Sequence, residues 1–204
     1  LLDPLFPGKA PALLPSMPGF PGALPSIWNV PYLRNIFFTG RDDLLEQLHT
    51  YLHIKHAAAI SQPQAISGLG GIGKTQVAIE YAYQHRNDHQ AVFWCLANSQ
   101  EALMAGYVAI AKLLSLPEYK EQDQTITVQA VLQWLRTSQQ WLLILDNADD
   151  LRLLPPFLPT PFEGHVLLTT RAFAMGGLAH RVEVEELAGT LGAVLLLRRA
   201  GVIP

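Results

Sequence analysis

The sequence predicts an α/β domain, a mostly parallel sheet with helices on both faces. Short, continuously apolar runs alternate along the chain with segments whose apolar residues recur at helical spacing. That is the pattern of strands buried on both sides and joined by crossover helices. One apolar run also enters a glycine cluster that opens straight into a helical segment, which fixes one strand-loop-helix unit in place. At 204 residues, 50% hydrophobic and 15% charged, the chain suits one well-cored domain and is too short for two substantial ones.

In order, residues 1–31 hold more than half of the 15 prolines, a density that precludes regular helix or central strand. They read as a linker or an extended arm. Apolar Leu13, Leu14, Phe20, Ile27 and Trp28 suggest that part of this arm lies on the core. Thr39 and Asp42 then have capping-box spacing ahead of Leu44, Leu45, Leu48, Tyr51 and Leu52, predicting a helix to about His56. Residues 64–67 read as a strand and 74–85 as a helix. Strand 91–95, helices 100–114 and 127–136, strands 141–145, 165–169 and 181–184 and a helix from about Thr190 follow. Residues 118–124 read as a surface loop between two helices, and prolines over 155–161 break the chain again.

Residues 68–75, GLGGIGKT, match G-x-x-x-x-G-K-[ST] at the strand-to-helix junction where that pattern has meaning. Glycines let successive backbone N–H groups turn inward around a phosphate, and the helix that follows offers free amides and the positive end of its dipole. Gly68, Gly70, Gly71, Ile72, Gly73, Lys74, Thr75 and Gln76 are the expected phosphate-binding residues. Lys74 would place its ammonium on the β- and γ-phosphates, and the Thr75 hydroxyl would ligate Mg²⁺. Such a loop needs a carboxylate at the end of a neighbouring strand to hold the metal, and Asp146, closing WLLILD, supplies it. Arg171 ends the run VLLTTR, from which a guanidinium could reach a γ-phosphate. The expected catalytic residues are therefore Lys74, Asp146 and Arg171, with Thr75 and Asp146 holding the metal.

Composition excludes other classes. A net charge of -3 offers no basic field for gathering nucleic acid. The one cysteine, Cys95, permits neither a disulfide framework nor a thiolate metal site and reads as a buried strand residue. No apolar run approaches the ~20 residues of a spanning helix, and the opening lacks a charged signal region. A cytoplasmic protein without membrane or nucleic-acid partners is expected. The start at Leu1 suggests a piece of a longer chain. His49 and His53 stand four apart on the first helix, but no third ligand is near in sequence, so the pair reads as a solvated helix face. Tyr81, Tyr83, Phe93 and Trp94 read as core and helix-surface residues rather than stacking platforms for bases.

FFTGRDDLL at 37–45, GLGGIGKT, LLILDNADD at 142–150 and LLTTR at 167–171 together resemble, in order and spacing, the NB-ARC class of STAND ATPases. The resemblance covers residues from about Asn29 to the end. It implies a P-loop NTPase three-layer sandwich with five parallel strands in the order 5-1-4-3-2. The P-loop strand is first in sequence and the Asp146 strand third. It further implies an ATP or ADP site with adenine against Gly40 and Arg41, Mg²⁺, Arg171 as γ-phosphate sensor, slow hydrolysis and a signalling switch. Residues 32–188 would form the NB-ARC domain and 189–204 the start of a following helical subdomain. Partners would be other domains of the same longer chain and a nucleotide-dependent homo-oligomer. Without the subdomains that close over the nucleotide, this piece is expected to bind loosely.

The sequence departs from that family at two places. Asp42 stands where Glu usually follows the Gly-Arg pair, with Leu44 at the later acidic position. Asn147 stands where many relatives carry a second carboxylate. An amide can orient water but cannot take its proton, which leaves Asp149 or Asp150 to substitute. A nucleotide-bound scaffold without turnover is the alternative. A P-loop phosphotransferase is a weaker one, since no arginine-rich lid lies between Gln64 and Arg171.

Overall fold

The computed structural model describes residues 24–53 and 62–203. Most of the proline-rich arm, with Leu13, Leu14 and Phe20, and the last turn of the first expected helix lie outside the described residues.

The elements run β1 (Ile27–Trp28), α1 (Asp42–His53), β2 (Gln64–Ser67), α2 (Lys74–Gln84), β3 (Ala91–Leu96), α3 (Gln100–Leu113), α4 (Gln124–Thr137), β4 (Trp141–Asp146), β5 (His165–Thr170), β6 (His180–Glu183) and α5 (Gly189–Arg199), with short 3₁₀ turns between them. All strands pair in parallel in one sheet, in the order β1-β3-β4-β5-β2-β6. Read from β6, the five expected strands stand in the expected order. The sheet differs by a sixth strand at the outer edge of β3.

That strand comes from the proline-rich arm. Ile27 and Trp28 pair with Ala91 and Val92. Asn29 extends the pairing with its side chain, whose Oδ1 accepts from the Trp94 amide at 2.6 Å while its Nδ2 donates to the Trp94 carbonyl. An amide side chain thus mimics one more rung of the ladder, and Trp28 seats against Tyr83 at 5.0 Å between ring centroids.

Alternation along the central strands builds two cores. Trp141, Leu143 and Leu145 of β4 face α3 and α4, joining Leu103, Tyr107, Val131 and Leu135, while Leu142 and Ile144 face α1 and α2, joining Leu45, Leu48, Val77 and Tyr81. Both faces are covered, so polar residues have no place in mid-strand. Among the described residues no helix is long and apolar enough to cross a membrane.

Two local expectations fail. Thr39 does not cap α1: its hydroxyl donates to the Phe37 carbonyl. The first helical bond instead runs from the Leu45 amide to the Arg41 carbonyl, so the helix starts two residues later than a Thr39 cap requires. Residues 118–124 are not a plain loop, because a 3₁₀ turn occupies Pro117–Lys120 and Asp123 caps α4 by accepting from the Thr125 amide. A strong cap moves the helix start ahead of the apolar periodicity.

Gly164, just before β5, has no room for a side chain: a Cβ there would lie 2.2 Å from the Trp141 indole. That ring is fully buried and its Nε1 donates to the carbonyls of Leu135 and Ser138, so it cannot step aside. Gly164→Ala is expected to destabilise the fold by about 1–3 kcal/mol, read as a lower urea midpoint at unchanged slope.

Candidate functional site

The parallel order places the carboxyl ends of β2, β5 and β4 side by side, and the loops leaving them form a cleft of about 470 Å³. Gly73 ends the first loop at φ +99°, a left-handed conformation that glycine adopts without strain and that other residues resist. The turn lets α2 begin at Lys74. Gly70, Gly71, Gly73, Lys74, Thr75 and Gln76 line the cleft. Ile72 packs instead against the core shared with α2, and Gly68 contributes a carbonyl that accepts from Lys74 Nζ at 2.8 Å.

Lys74 is largely buried, and its ammonium also donates to the Leu69 carbonyl at 2.7 Å. Burial lowers its pKa, against an opposing pull from Asp149. Behind it, Asp146 is buried at the end of β4. Its Oδ1 accepts from Thr75 Oγ1 at 2.9 Å and from Thr169 Oγ1 at 2.5 Å. Two hard oxygen donors, a hydroxyl and a carboxylate, therefore stand together at the edge of the cleft. That donor chemistry fits Mg²⁺, which takes one or two protein oxygens and fills its octahedron with water and phosphate.

Asn147 follows at φ +61°, and its amide donates to Thr169 Oγ1 at 2.9 Å. Asparagine tolerates this left-handed position better than most residues. The kink buries Ala148, whose amide donates to the Thr169 carbonyl, and turns Asp149 toward Arg171. The pair is tight. The Arg171 amide donates to Asp149 Oδ1 at 2.7 Å, and Nε and Nη2 reach Oδ2 at 2.7 and 2.6 Å. Partial burial alone would raise the Asp149 carboxyl, but the Arg171 bonds outweigh it and hold its pKa below the usual carboxylate value.

Lys74, Thr75, Asn147, Asp149 and Arg171 thus converge on one cleft, with Asp146 behind Thr75. Gly40 and Arg41 do not line it. They face a second cleft of about 630 Å³, bounded by Glu183, Glu185 and Leu191. Leu191 of α5 occupies the space a side chain on Gly40 would need. Asn98, in the loop after β3, lines the first cleft and is a residue the sequence did not single out. Neither the Thr169 bond to Asp146 nor the Asp149 bond to Arg171 carries a motif. Asp150, the other candidate substitute for a second carboxylate, pairs with Arg152 instead.

Comparison with known proteins agrees with this geometry. The profile of the AAA domain matches residues 62–171, from β2 to Arg171. A protein of Hyaloscypha variabilis described as a nucleotide-binding leucine-rich repeat (NLR)-like protein is 34% identical over 71% of this chain, which spans only 16% of that protein's length. Among solved structures, the ORC1 protein of Aeropyrum pernix, determined in complex with DNA, has a TM-score of 0.56 at 14% identity. Cdc6p of Pyrobaculum aerophilum has a TM-score of 0.55 at 17% identity. Each match covers 84% of this chain and 52% of the other, and at these identities they show a shared fold. The matched profile spans more than half of the chain and holds every residue of the first cleft, so the chain belongs to the AAA-domain family of P-loop NTPases.

Proposed function

We propose that this chain is the ATP/ADP switch of a longer signalling ATPase of the NB-ARC type, with slow Mg²⁺-dependent hydrolysis. The observation that carries it is the Asp149–Arg171 pair within the P-loop cleft, 2.6 Å across its shortest contact. A guanidinium bound to a carboxylate beside a phosphate site has two possible partners. With ADP it keeps the carboxylate. The γ-phosphate of ATP carries more charge and offers the same bidentate geometry, so it draws Arg171 away.

Release of Asp149 then matters for chemistry. Asn147 can orient the attacking water but not accept its proton, whereas the freed Asp149 carboxylate, on the next turn of the same loop, can do so. Water attacks the γ-phosphorus as the bond to the ADP oxygen breaks, and Lys74 and Arg171 offset the charge spread over the transferred group. Mg²⁺, held by Thr75 and Asp146, would neutralise phosphate charge. Gly40 and Arg41 would take the adenine in the second cleft, where Glu183 and Glu185 offer acceptors for an exocyclic amino group.

The larger role rests on two supports. The Hyaloscypha relative is described as NLR-like, and this chain corresponds to 16% of it, which leaves room for the input and output domains of a switch and for a nucleotide-dependent homo-oligomer. α5 has no fully buried residue and leaves Leu196 exposed, as the first helix of a following subdomain would. Residues 32–188 would then be the switch domain proper.

Calorimetry in magnesium buffer is expected to give heat with both ATP and ADP. Lys74→Ala should weaken each by at least about tenfold, the loss of a charge-assisted contact of ~1.5–3 kcal/mol. Absence of heat with either nucleotide from a folded sample would sink the proposal. Arg171→Ala should lower ATP affinity about tenfold with ADP little changed, while Asp149→Asn should favour ATP by a few-fold, since the guanidinium no longer has a competing anion. Equal effects on ATP and ADP would remove Arg171 from the sensing role. In single turnover, phosphate release above buffer that disappears in Lys74→Ala marks a switch. Release no faster than buffer marks the scaffold that Asn147 allows.

A further inference from the structure

A cluster of histidines lies at the opposite end of the sheet, where the strands begin. His49 and His53 come from α1, His85 caps the end of α2, His89 precedes β3 and His165 opens β5. The rings form a continuous chain. His85 and His49 stack at 4.0 Å, His49 and His53 meet at 4.1 Å and His53 and His165 at 4.4 Å, and His165 Nδ1 is 3.1 Å from His89 Nε2. The solvated helix face expected for His49 and His53 is half right: His53 is exposed, but His49 is half-buried against the end of α2.

The hydrogen bonds decide which nitrogens are free. His53 Nδ1 donates to the His49 carbonyl at 2.8 Å, His85 Nδ1 to Asp88 Oδ2 at 3.0 Å and His89 Nδ1 to the His85 carbonyl at 2.9 Å, while His49 Nδ1 lies 3.3 Å from the Tyr81 hydroxyl. An imidazole whose Nδ1–H is tied to a backbone oxygen, as in His53, presents its Nε2 lone pair outward, the orientation in which histidines ligate metals. Among the described residues no hydrogen bond engages Nε2 of His49 or His53, while His85 Nδ1 already faces Asp88 Oδ2, so an ion shared by that pair would take the place of the proton between them. One donor atom from each of His49, His85 and Asp88 lies within 4.8 Å of the other two.

We infer that His49, His85 and Asp88 form a binding site for a divalent first-row transition ion of the zinc type, with His53 or a water as fourth ligand. Two imidazoles and a carboxylate without thiolate suit zinc, copper or nickel rather than Mg²⁺ or Ca²⁺. The planes of His49 and His85 lie within 15° of parallel, so an ion at about 2.0–2.1 Å from both nitrogens requires one ring to turn out of the stack. That is a side-chain rotation at a half-exposed helix end. The ion would clamp the end of α1 to the end of α2. α1 begins beside Gly40 and Arg41, so the clamp would brace a wall of the second cleft from its far end.

The test is equilibrium dialysis of the metal-stripped full chain against Zn²⁺ near neutral pH, with excess Mg²⁺ to cover Thr75 and Asp146. One zinc per chain is expected, its affinity at least about tenfold weaker in H49Q and in H85Q and unchanged in H180Q, whose parent ring contacts Tyr51 instead. Because H49Q and H85Q also alter ring packing, Co²⁺ absorption of the unsubstituted chain gives a second reading. Intense visible bands of a four-coordinate ion, saturating at one equivalent, support the site. Failure of the unsubstituted chain to retain zinc, equal retention by H49Q and H85Q, or the pale spectrum of six-coordinate hydrated cobalt would each overturn it.

Discussion

One carboxylate oxygen holds the phosphate end of this molecule together. Asp146 Oδ1 accepts from Thr75 on α2 and from Thr169 on β5, so three elements meet at a single atom. A buried carboxylate costs free energy unless its oxygens find donors, and here two hydroxyls donate to Oδ1. The contact exists because β5 lies between β2 and β4. This order sets Asp146 one strand away from the P-loop strand, with Thr169 of the intervening β5 between them. Sheet topology is thus a precondition for the site rather than a frame around it.

This explains what the sequence could show and what it could not. The central strands were legible because both faces are covered, which makes WLLIL and VLL apolar until the polar residues at their carboxyl ends. The glycine loop was legible because its spacing follows from phosphate geometry. Strand order is not written in periodicity and came only with the family resemblance. β1 has two residues, too few for any pattern, and its fit depends on Asn29 bonding a strand 65 positions away. The Thr39 cap failed because a hydroxyl near a helix start has competing carbonyls within reach, and the Phe37 carbonyl took it.

The pairing of Asp149 with Arg171 was hidden for a different reason. It joins residues 22 apart and requires the left-handed turn at Asn147, which no local pattern specifies. The histidine cluster was hidden likewise: its members come from two helices, a loop and a strand, and only their tertiary placement makes them neighbours. Side chains that act through partners distant in sequence stay silent in a single sequence even where the strands carrying them are plain.

The same turn clarifies what Asn147 does to the site. At φ +61° the position favours a short polar residue, and asparagine satisfies the backbone without adding a charge beside Asp146. The negative charge appears two residues later, on Asp149, where Arg171 meets it. Side-chain exposures of 31% for Asp149 and 67% for Arg171 place the pair in solvent-screened surroundings, where such bridges contribute little. A fully buried pair would cost about 3–5 kcal/mol to break, and a phosphate would have to overcome that. The exposed pair presents a shallow barrier, so under the proposed function a γ-phosphate held by the loop amides and Lys74 would need little surplus affinity to take the guanidinium. Partial exposure is therefore the property that would let this arginine answer to the nucleotide instead of serving as a fixed strut.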